Sequence, residues 1–285
     1  MRFEVLESLS LPGDAAKPNE DVVLAESSAA VVFDGATPVS EPLLPGKSDA
    51  AWIAQFGARR LMSHLKEDDS PRAALRHALA DAERSFEGLR RRPPRERHEL
   101  PYASMMLAVA CDGSFDALWY GDCVALVLRP GEDCEVVGQA FEKKASESSD
   151  AVRFAAETKT APTGALRTEL FLSLVRAGRD RLNTPGGTWL FAPTPHASEH
   201  VSHARVAAPS GTLVLLCTDG FLALAGDYGT YAPRALVEAA ASKGLKALGG
   251  ELRAVEEADP EGRRFPRFKK SDDATAVLLR LQAPI

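Results

Sequence analysis

Short apolar segments recur along the whole chain and dominate its hydrophobic pattern. They are rich in β-branched and aromatic residues, and most are bounded by Gly, Pro, Asp or Ser. Segments of this kind are typical of β-strands. We therefore predict strands at residues 2–9, 21–26, 29–34, 104–111, 115–122, 124–131, 135–140, 188–193, 212–219 and 275–281.

Longer segments between these runs carry apolar residues at helical spacing. Residues 48–67 are one example, with Ser48 or Asp49 in position to cap the helix. Ser70-Pro71 is the preferred start of a second helix, a capping residue followed by proline. Helices are predicted at 48–67, 70–91, 166–182 and 231–258, the last with a break at Gly244 or at Gly249-Gly250.

The order of these elements indicates the fold class. Strands come first, followed by two helices, many strands, one helix, further strands, a helical region and a final strand. Because strands and helices do not alternate regularly, a doubly wound parallel sheet is disfavoured, and antiparallel sheet faced by helices, an α+β arrangement, is predicted. The chain shows no internal repeat and no low-complexity linker, so one domain spanning 1–285 is expected.

Composition narrows the function classes. The chain has 285 residues, of which 45% are hydrophobic and 26% are charged, and a net charge of -6. An acidic balance argues against nucleic-acid binding, and no apolar run approaches the roughly 20 residues that cross a membrane. The start of the chain lacks the apolar core of a signal peptide, so the cytoplasm is the expected compartment. The four cysteines form no C-x-x-C pair and are expected to be buried free thiols.

Carboxylates cluster at the ends of several predicted strands. Asp34-Gly35 ends the apolar run 29–33 without a return strand, which distinguishes it from Asp112-Gly113, a hairpin turn between two strands. The other strand-end acids are Asp122, Asp219, the pair Glu20-Asp21 and the pair Asp272-Asp273.

These acids suggest a metal centre. Strand ends that are far apart in sequence can meet at one edge of a sheet assembly, and Mg²⁺ and Mn²⁺ choose oxygen-only sites. Two such ions held close together can activate a water for in-line attack on phosphorus. For any single aspartate, a role as cap or turn residue is the better explanation, so the hypothesis rests on the set.

Five short motifs occur in an order that is similar to a known family. They are "NED" at 19–21, "VFDGAT" at 32–37, "YGDC" at 120–123, "CTDGF" at 217–221 and "SDDATAVLL" at 271–279. From about Lys17 to Leu281 the chain resembles the metal-dependent type 2C protein serine/threonine phosphatases (PPM family), especially bacterial members. The resemblance implies a central β-sandwich of two antiparallel sheets flanked by helices, with two Mn²⁺ or Mg²⁺ ions in a cleft at one end.

The resemblance also implies roles for individual residues. Asp34 would bridge both metals, and the carbonyl of Gly35 would bind one of them. Asp219 and Asp272 would complete the shell of the first metal. A water between the ions would attack the phosphoester directly.

The remaining implied ligands are Glu20 and Asp21 for the second metal and Asp122 for a third, weaker one. The implied substrate is phosphoserine or phosphothreonine of a phosphorylated protein.

Departures from the family pattern support an alternative. Ala16 stands where the family has an arginine that binds the substrate phosphate, and Lys17 is the nearest cation to replace it. Ala36-Thr37-Pro38 replaces the glycine-rich continuation after Asp-Gly, which removes a histidine that some members use near the leaving group, and Ala223 stands where an aspartate for the third metal is often found. A catalytically weak or inactive domain that binds a phosphoprotein is therefore the second hypothesis. The clustered carboxylates argue against it, since acids without a function would repel one another.

Histidines provide a third hypothesis. His196, His200 and His203 would share one face of a helix and could bind zinc for another hydrolase. The segment lacks H-E-x-x-H and a clear apolar stripe, so a solvated loop is the favoured interpretation.

Overall fold

The computed structural model describes residues 1–68 and 70–283, apart from the side chains of 140, 142–146 and 165–167. The described residues form two five-stranded sheets, ordered β1-β10-β9-β6-β7 and β2-β3-β4-β5-β8, in which every neighbouring pair is antiparallel. The strands are β1 (Arg2–Leu11), β2 (Asp21–Ala25), β3 (Ala29–Gly35), β4 (Ala103–Cys111), β5 (Ser114–Tyr120), β6 (Val124–Leu128), β7 (Cys134–Val137), β8 (Ser202–Ala207), β9 (Leu213–Cys217) and β10 (Ala274–Gln282).

Helices cover both outer faces of the two sheets. Those found in the described part of the chain are α1 (Asp49–His64), α2 (Pro71–Leu89), α3 (Ala140–Thr158), α4 (Glu169–Arg179), α5 (Asp219–Leu222), α6 (Pro233–Lys243) and α7 (Leu245–Ala258). One apolar cluster lies between the sheets, one joins the second sheet to α1 and α2, and one joins the first sheet to α5, α6 and α7. The predicted α+β class and the helix–sheet–sheet–helix layering are confirmed.

The alternation of side chains along β3 places its terminal aspartate. Val31 and Phe33 pack towards the helices, whereas Ala30 and Val32 pack between the sheets. Because successive side chains of a strand point to opposite faces, Asp34 falls on the inter-sheet side, at the open end of the sandwich. The chain then leaves β3 towards α1 with no return strand, so the prediction that Asp34-Gly35 is not a hairpin turn is confirmed. Asp112-Gly113 does form the β4–β5 hairpin.

The helix boundaries follow the capping signals. The hydroxyls of Ser48 and Ser70 accept hydrogen bonds from the third residue of α1 and α2, and Pro71 opens α2. The predicted helix at 231–258 breaks at Gly244, whose φ of 88° suits glycine, and not at Gly249-Gly250, which lie within α7.

Three predictions about secondary structure were wrong or incomplete. Residues 188–193 form no strand, because the side-chain amide of Asn183 takes both backbone hydrogen bonds of Leu190 and only Phe191 bridges to β4. Strand β8 was missed because it is a largely exposed edge strand without an apolar run. Helix α3 was also missed, because its sequence is charged. The strand predicted at 135–140 was also too long: β7 ends at Val137, and α3 begins at Ala140.

Two smaller expectations have mixed outcomes. All four cysteines are free, and Cys123 and Cys217 are buried, but Cys111 and Cys134 are only partly buried. Within the described ranges, no helix combines the length and the apolar character that crossing a membrane requires.

Candidate metal centre

The strand-end carboxylates meet in one cleft of about 1320 Å³. Four separate connections deliver them: Asp34 ends β3, Asp122 follows β5, Asp219 begins α5 directly after β9, and Asp272 precedes β10. Glu20, Gly35 and Lys17 also line the cleft. The cleft therefore contains every predicted site residue except Asp21.

Asp21 lies beneath the cleft floor. It is only 5% exposed and sits directly opposite Asp34 in the β2–β3 ladder. Its Oδ2 accepts a 2.7 Å hydrogen bond from the hydroxyl of Thr218, which in turn accepts one from the backbone N–H of Thr275. These bonds join the aspartate of one sheet to β9 and β10 of the other, so the position of Asp21 is fixed by both sheets.

The charges at this end of the sandwich are poorly compensated. Burial, followed by the charges of Asp21 and Asp219, raises the pKa of Asp34 well above its usual value. Burial also raises the pKa of Asp21, although the hydrogen bond from Thr218 opposes the shift. The buried thiol of Cys123 has a raised pKa, because of burial and then the charge of Asp34. A site that penalises negative charge in this way is stabilised by binding cations.

Lys269 is the cation closest to these acids, and the sequence analysis did not identify it. Its Nζ lies 2.8 Å from Oδ1 of Asp272 and 3.4 Å from the hydroxyl of Thr37. Desolvation lowers the pKa of this ammonium, but the charges of Asp272 and Asp34 outweigh it and raise the pKa. The side chain stays 38% exposed to the cleft. The sequence feature that could have identified Lys269 is its place three positions before Asp272, a predicted metal ligand.

A second cation, Arg179 at the end of α4, was also missed. It lines the same cleft, and the structure records no hydrogen bond or ion pair of its guanidinium with the residues that it describes. Burial lowers its pKa, and the charge of Glu20 opposes this. An unpaired, partly buried guanidinium beside an acidic cleft is suited to binding an anion.

Glu20 is held by hydroxyl groups. Ser48 donates to its Oε1 and Thr37 donates to its Oε2, both at 2.5 Å. Because Ser48 also caps α1, the same hydroxyl fixes both the start of that helix and the carboxylate of Glu20.

The two remaining acids differ in role. Asp122 accepts a 2.5 Å hydrogen bond from Ser104, the residue opposite Asp34 on β4. Asp273 accepts backbone hydrogen bonds from Gly13 and Glu20, at 2.7 and 2.6 Å, and so ties the loop before β2 to β10. Asp273 is therefore a structural residue.

The predicted phosphate contact at Lys17 lies at the rim. Its side chain is 73% exposed, and its nearest acidic partner is Asp14 at 3.9 Å. Lys269 and Arg179 lie deeper in the cleft and are better placed for that role.

Two glycines allow the backbone to approach closely. A Cβ at Gly35 would lie 2.7 Å from the carbonyl oxygen of Ala50, and a Cβ at Gly220 would lie 2.0 Å from that of Asp273. The glycines of Asp34-Gly35 and Asp219-Gly220 are therefore required by packing, independently of any role in binding.

The three histidines considered for zinc do not meet. His196 and His200 pack around Trp189, with His200 stacked at a centroid distance of 3.6 Å. His203 lies on β8, where its Nε2 faces Asp116 at 3.5 Å. The segment is a short 3₁₀ turn followed by a strand, so the helical face that the zinc hypothesis required does not form.

The donor set fits hard divalent cations, although the acids are spread apart. Every candidate ligand offers oxygen, the donor that Mg²⁺ and Mn²⁺ prefer. Within the described residues, however, the only His, Cys, Asp or Glu trio with ligand atoms inside 4.8 Å of one another lies elsewhere, on α1 and α2. The cleft acids turn to other partners instead: Asp272 to Lys269, Glu20 to Ser48 and Asp21 to Thr218. Mutual repulsion explains this spread.

Comparisons with known proteins place the fold. No family model matches the chain, and no curated protein matches its sequence. Among solved structures, the serine/threonine phosphatase PstP/Ppp of Mycobacterium tuberculosis aligns with a TM-score of 0.58 and 17% identity, over 99% of this chain and 100% of that chain. The catalytic domain of PstP in complex with two manganese ions aligns with a TM-score of 0.56 and 18% identity, over 98% of both chains.

A third similar structure is the PPM Ser-Thr phosphatase MsPP of Mycobacterium smegmatis in complex with cacodylate. It aligns with a TM-score of 0.56 and 18% identity, over 98% of this chain and 99% of that chain. The chain therefore has the fold of the PPM-type serine/threonine phosphatases over nearly its whole length.

Proposed function

We propose that this protein is a metal-dependent phosphomonoester hydrolase that acts on phosphoserine and phosphothreonine of proteins. The observation that carries the proposal is the convergence of Asp34, Asp219 and Asp272 from three separate connections on one cleft. The same fold occurs in a phosphatase domain with two manganese ions, which supports two Mn²⁺ or Mg²⁺ ions here.

The proposed ligands follow from this arrangement. Asp34 would be shared by both ions, Asp219 and Asp272 would serve one of them, and Glu20 with the carbonyl of Gly35 would serve the other. Two bound divalent cations would supply a water of lowered pKa and would neutralise charge on the phosphate. Asp21, fixed by Thr218 beneath the floor, would orient this shell from behind.

Lys269 and Arg179 would bind and orient the substrate phosphate. Both line the cleft and interact electrostatically with its acids, and together they would replace the arginine whose position is taken by Ala16. Lys269 can reach the phosphate by leaving Asp272, which then becomes free to bind metal. Arg179 can offer paired N–H donors to two phosphate oxygens, a geometry that a lysine cannot provide.

A regulatory role is the second candidate. Ala16 and the segment Ala36-Thr37-Pro38 lack two groups that the family pattern provides, an arginine and a histidine, and no histidine lines the cleft in the described part of the chain. A protein of this kind would bind a phosphorylated partner through the same cations without rapid turnover.

Hydrolysis by metal-stripped protein distinguishes the two candidates. The substrates are p-nitrophenyl phosphate and a phosphothreonine peptide, with Mn²⁺, Mg²⁺ or Zn²⁺ added back. Turnover that Mn²⁺ or Mg²⁺ restores, and that is lost in Asp34→Asn but kept in the exposed control Asp133→Asn, supports the phosphatase. Peptide binding that Arg179→Gln weakens, without turnover under any metal, supports the regulatory role.

A further inference from the structure

Two histidines and an aspartate meet where α1 runs into α2. His64 is the last residue of α1, Asp68 lies in the connection, and His77 lies on the second turn of α2. Nδ1 of His77 lies 2.9 and 3.0 Å from the two oxygens of Asp68, and Nδ1 of His64 lies 3.8 Å from the same carboxylate. One ligand atom from each residue falls within 4.8 Å of the others.

The other nitrogen of His64 is held by a carboxylate. Its Nε2 lies 2.9 Å from Oδ2 of Asp81. The same Oδ2 accepts a hydrogen bond from Arg60, and Oδ1 of Asp81 accepts one from Arg84. When Nε2 donates to this carboxylate, Nδ1 carries the lone pair, and it is the Nδ1 side of the ring that faces Asp68. Metal-binding histidines typically have this orientation.

We propose that His64, Asp68 and His77 form a zinc site that joins the end of α1 to α2. Imidazole and carboxylate donors suit Zn²⁺, whereas Mg²⁺ and Mn²⁺ prefer oxygen alone. Zinc–ligand bonds of about 2.1 Å put the corners of a tetrahedron roughly 3.4 Å apart. The His77–Asp68 distance of 2.9 Å and the His64–Asp68 distance of 3.8 Å lie on either side of that value, and the side chain of His77 is 45% exposed and has room to adjust.

A fourth ligand is available beside the trio. The carboxylate of Glu67 lies 3.9 Å from Nδ1 of His64 and is 71% exposed. Either Glu67 or a water can complete a tetrahedron, whereas His64 and Asp68, at 14% and 15% exposure, are held firmly. Packing of the two helices therefore already holds two of the proposed ligands, His64 and Asp68, in place.

The zinc site lies apart from the acidic cleft. Ser48 at the start of α1 binds Glu20 of the cleft, and His64 ends the same helix. Sixteen residues at about 1.5 Å each separate the two ends by roughly 24 Å. Zinc at this position would act on the α1–α2 connection and not on the proposed hydrolytic chemistry.

Zinc binding by metal-stripped protein tests the proposal. The variants are His77→Gln, which removes a ligand, Asp81→Asn, which removes only the orienting carboxylate, and His196→Gln, an exposed histidine outside the site. Stoichiometry and affinity are measured by competition with a zinc-binding dye, with saturating Mg²⁺ present. Zinc taken up by the acidic cleft is the same in all these proteins, so the differences report on the helix site alone and do not depend on phosphatase activity.

We expect one zinc ion that wild type and His196→Gln bind and His77→Gln does not. Asp81→Asn should keep this ion with affinity weakened roughly 10- to 100-fold. Zinc should also raise the melting temperature of wild type more than that of His77→Gln. Equal zinc uptake by His77→Gln and wild type overturns the proposal, and so does an affinity that Asp81→Asn leaves unchanged. Either result would make the trio an ion-pair network only.

Discussion

Removing the Asp34 carboxylate should make the metal-free protein more stable while it removes metal-dependent activity. In the described residues the Asp34 carboxylate accepts no hydrogen bond, and it faces Asp21 across the β2–β3 ladder. Directly opposite residues have side chains about 5 Å apart, and two unit charges at that distance repel by ~3 kcal/mol in an effective dielectric of about 20. Because the raised pKa values of both groups already relieve part of this repulsion, Asp34→Asn should increase the free energy of unfolding at neutral pH by about 1–3 kcal/mol.

The pH dependence has a definite sign. The pKa of Asp34 is raised in the folded state, whereas it is about 3.9 in the unfolded chain. The folded protein therefore binds protons more readily, and the stability linked to this group is present below the unfolded pKa and is lost as the pH rises through the folded pKa. The advantage of Asp34→Asn over wild type should consequently be larger at about pH 7.5 than at about pH 5.

Urea unfolding in the presence of EDTA at both pH values measures this difference. Asp133→Asn, in which the replaced side chain is fully exposed, should change the stability by less than about 0.5 kcal/mol and serves as the control. In Mn²⁺ at about 100 times its dissociation constant, wild type should gain ~2.7 kcal/mol and the variant much less. A variant no more stable than wild type in EDTA, or an advantage that is the same at both pH values, would refute the reasoning.

Three further predictions use other parts of the molecule. Lys269→Gln should lower kcat/KM by about 10- to 100-fold, because a charged hydrogen bond to the phosphate is lost. The control Lys17→Gln should change kcat/KM by less than about threefold, and equal losses in steady-state kinetics would contradict the assignment of Lys269. Gly220→Ala should lower the free energy of unfolding, measured in urea, by about 2–3 kcal/mol, because its Cβ meets a backbone oxygen. Gly178→Ala, in open space on α4, should raise it by about 0.5–1 kcal/mol, and similar effects of the two variants would disprove the packing argument. His196→Ala should leave hydrolysis unchanged, and a large loss would revive the histidine hypothesis.

The sequence was most informative where a single strand determines a position. The run 29–33 is buried throughout, and its alternation predicts on which face Asp34 lies. The acids at 122, 219 and 272 likewise follow from their places beside apolar strands. These strands are short and strongly apolar, so nearly every residue in them is favourable only when buried. The hydrophobic pattern therefore predicts where each strand ends as well as where it runs.

Contacts between distant segments could not be predicted in this way. Lys269 lies in a charged stretch that is typical of a solvated loop, and its bond to Asp272 depends on the turn before β10. Arg179 reaches the cleft only because α4 packs beside it, far along the chain from Glu20. His64 and His77 meet because two helices pack in one register. Periodicity predicts each helix, but not how far one is shifted along the other.

Charge balance links the proposed metal centre to the proposed phosphate site. Among the residues that line this cleft, the acids outnumber the cations, and burial together with the charges of neighbouring acids raises the pKa values of Asp21 and Asp34. Lys269 supplies a single positive charge, which reaches Asp272 but cannot balance the rest. If divalent cations bind these acids, the attraction that holds Lys269 on Asp272 is replaced by repulsion between like charges. The ammonium would then turn towards the open cleft, where an incoming phosphate would be its best partner. In the proposed site, metal binding to the acids would therefore also free a cation for the phosphate.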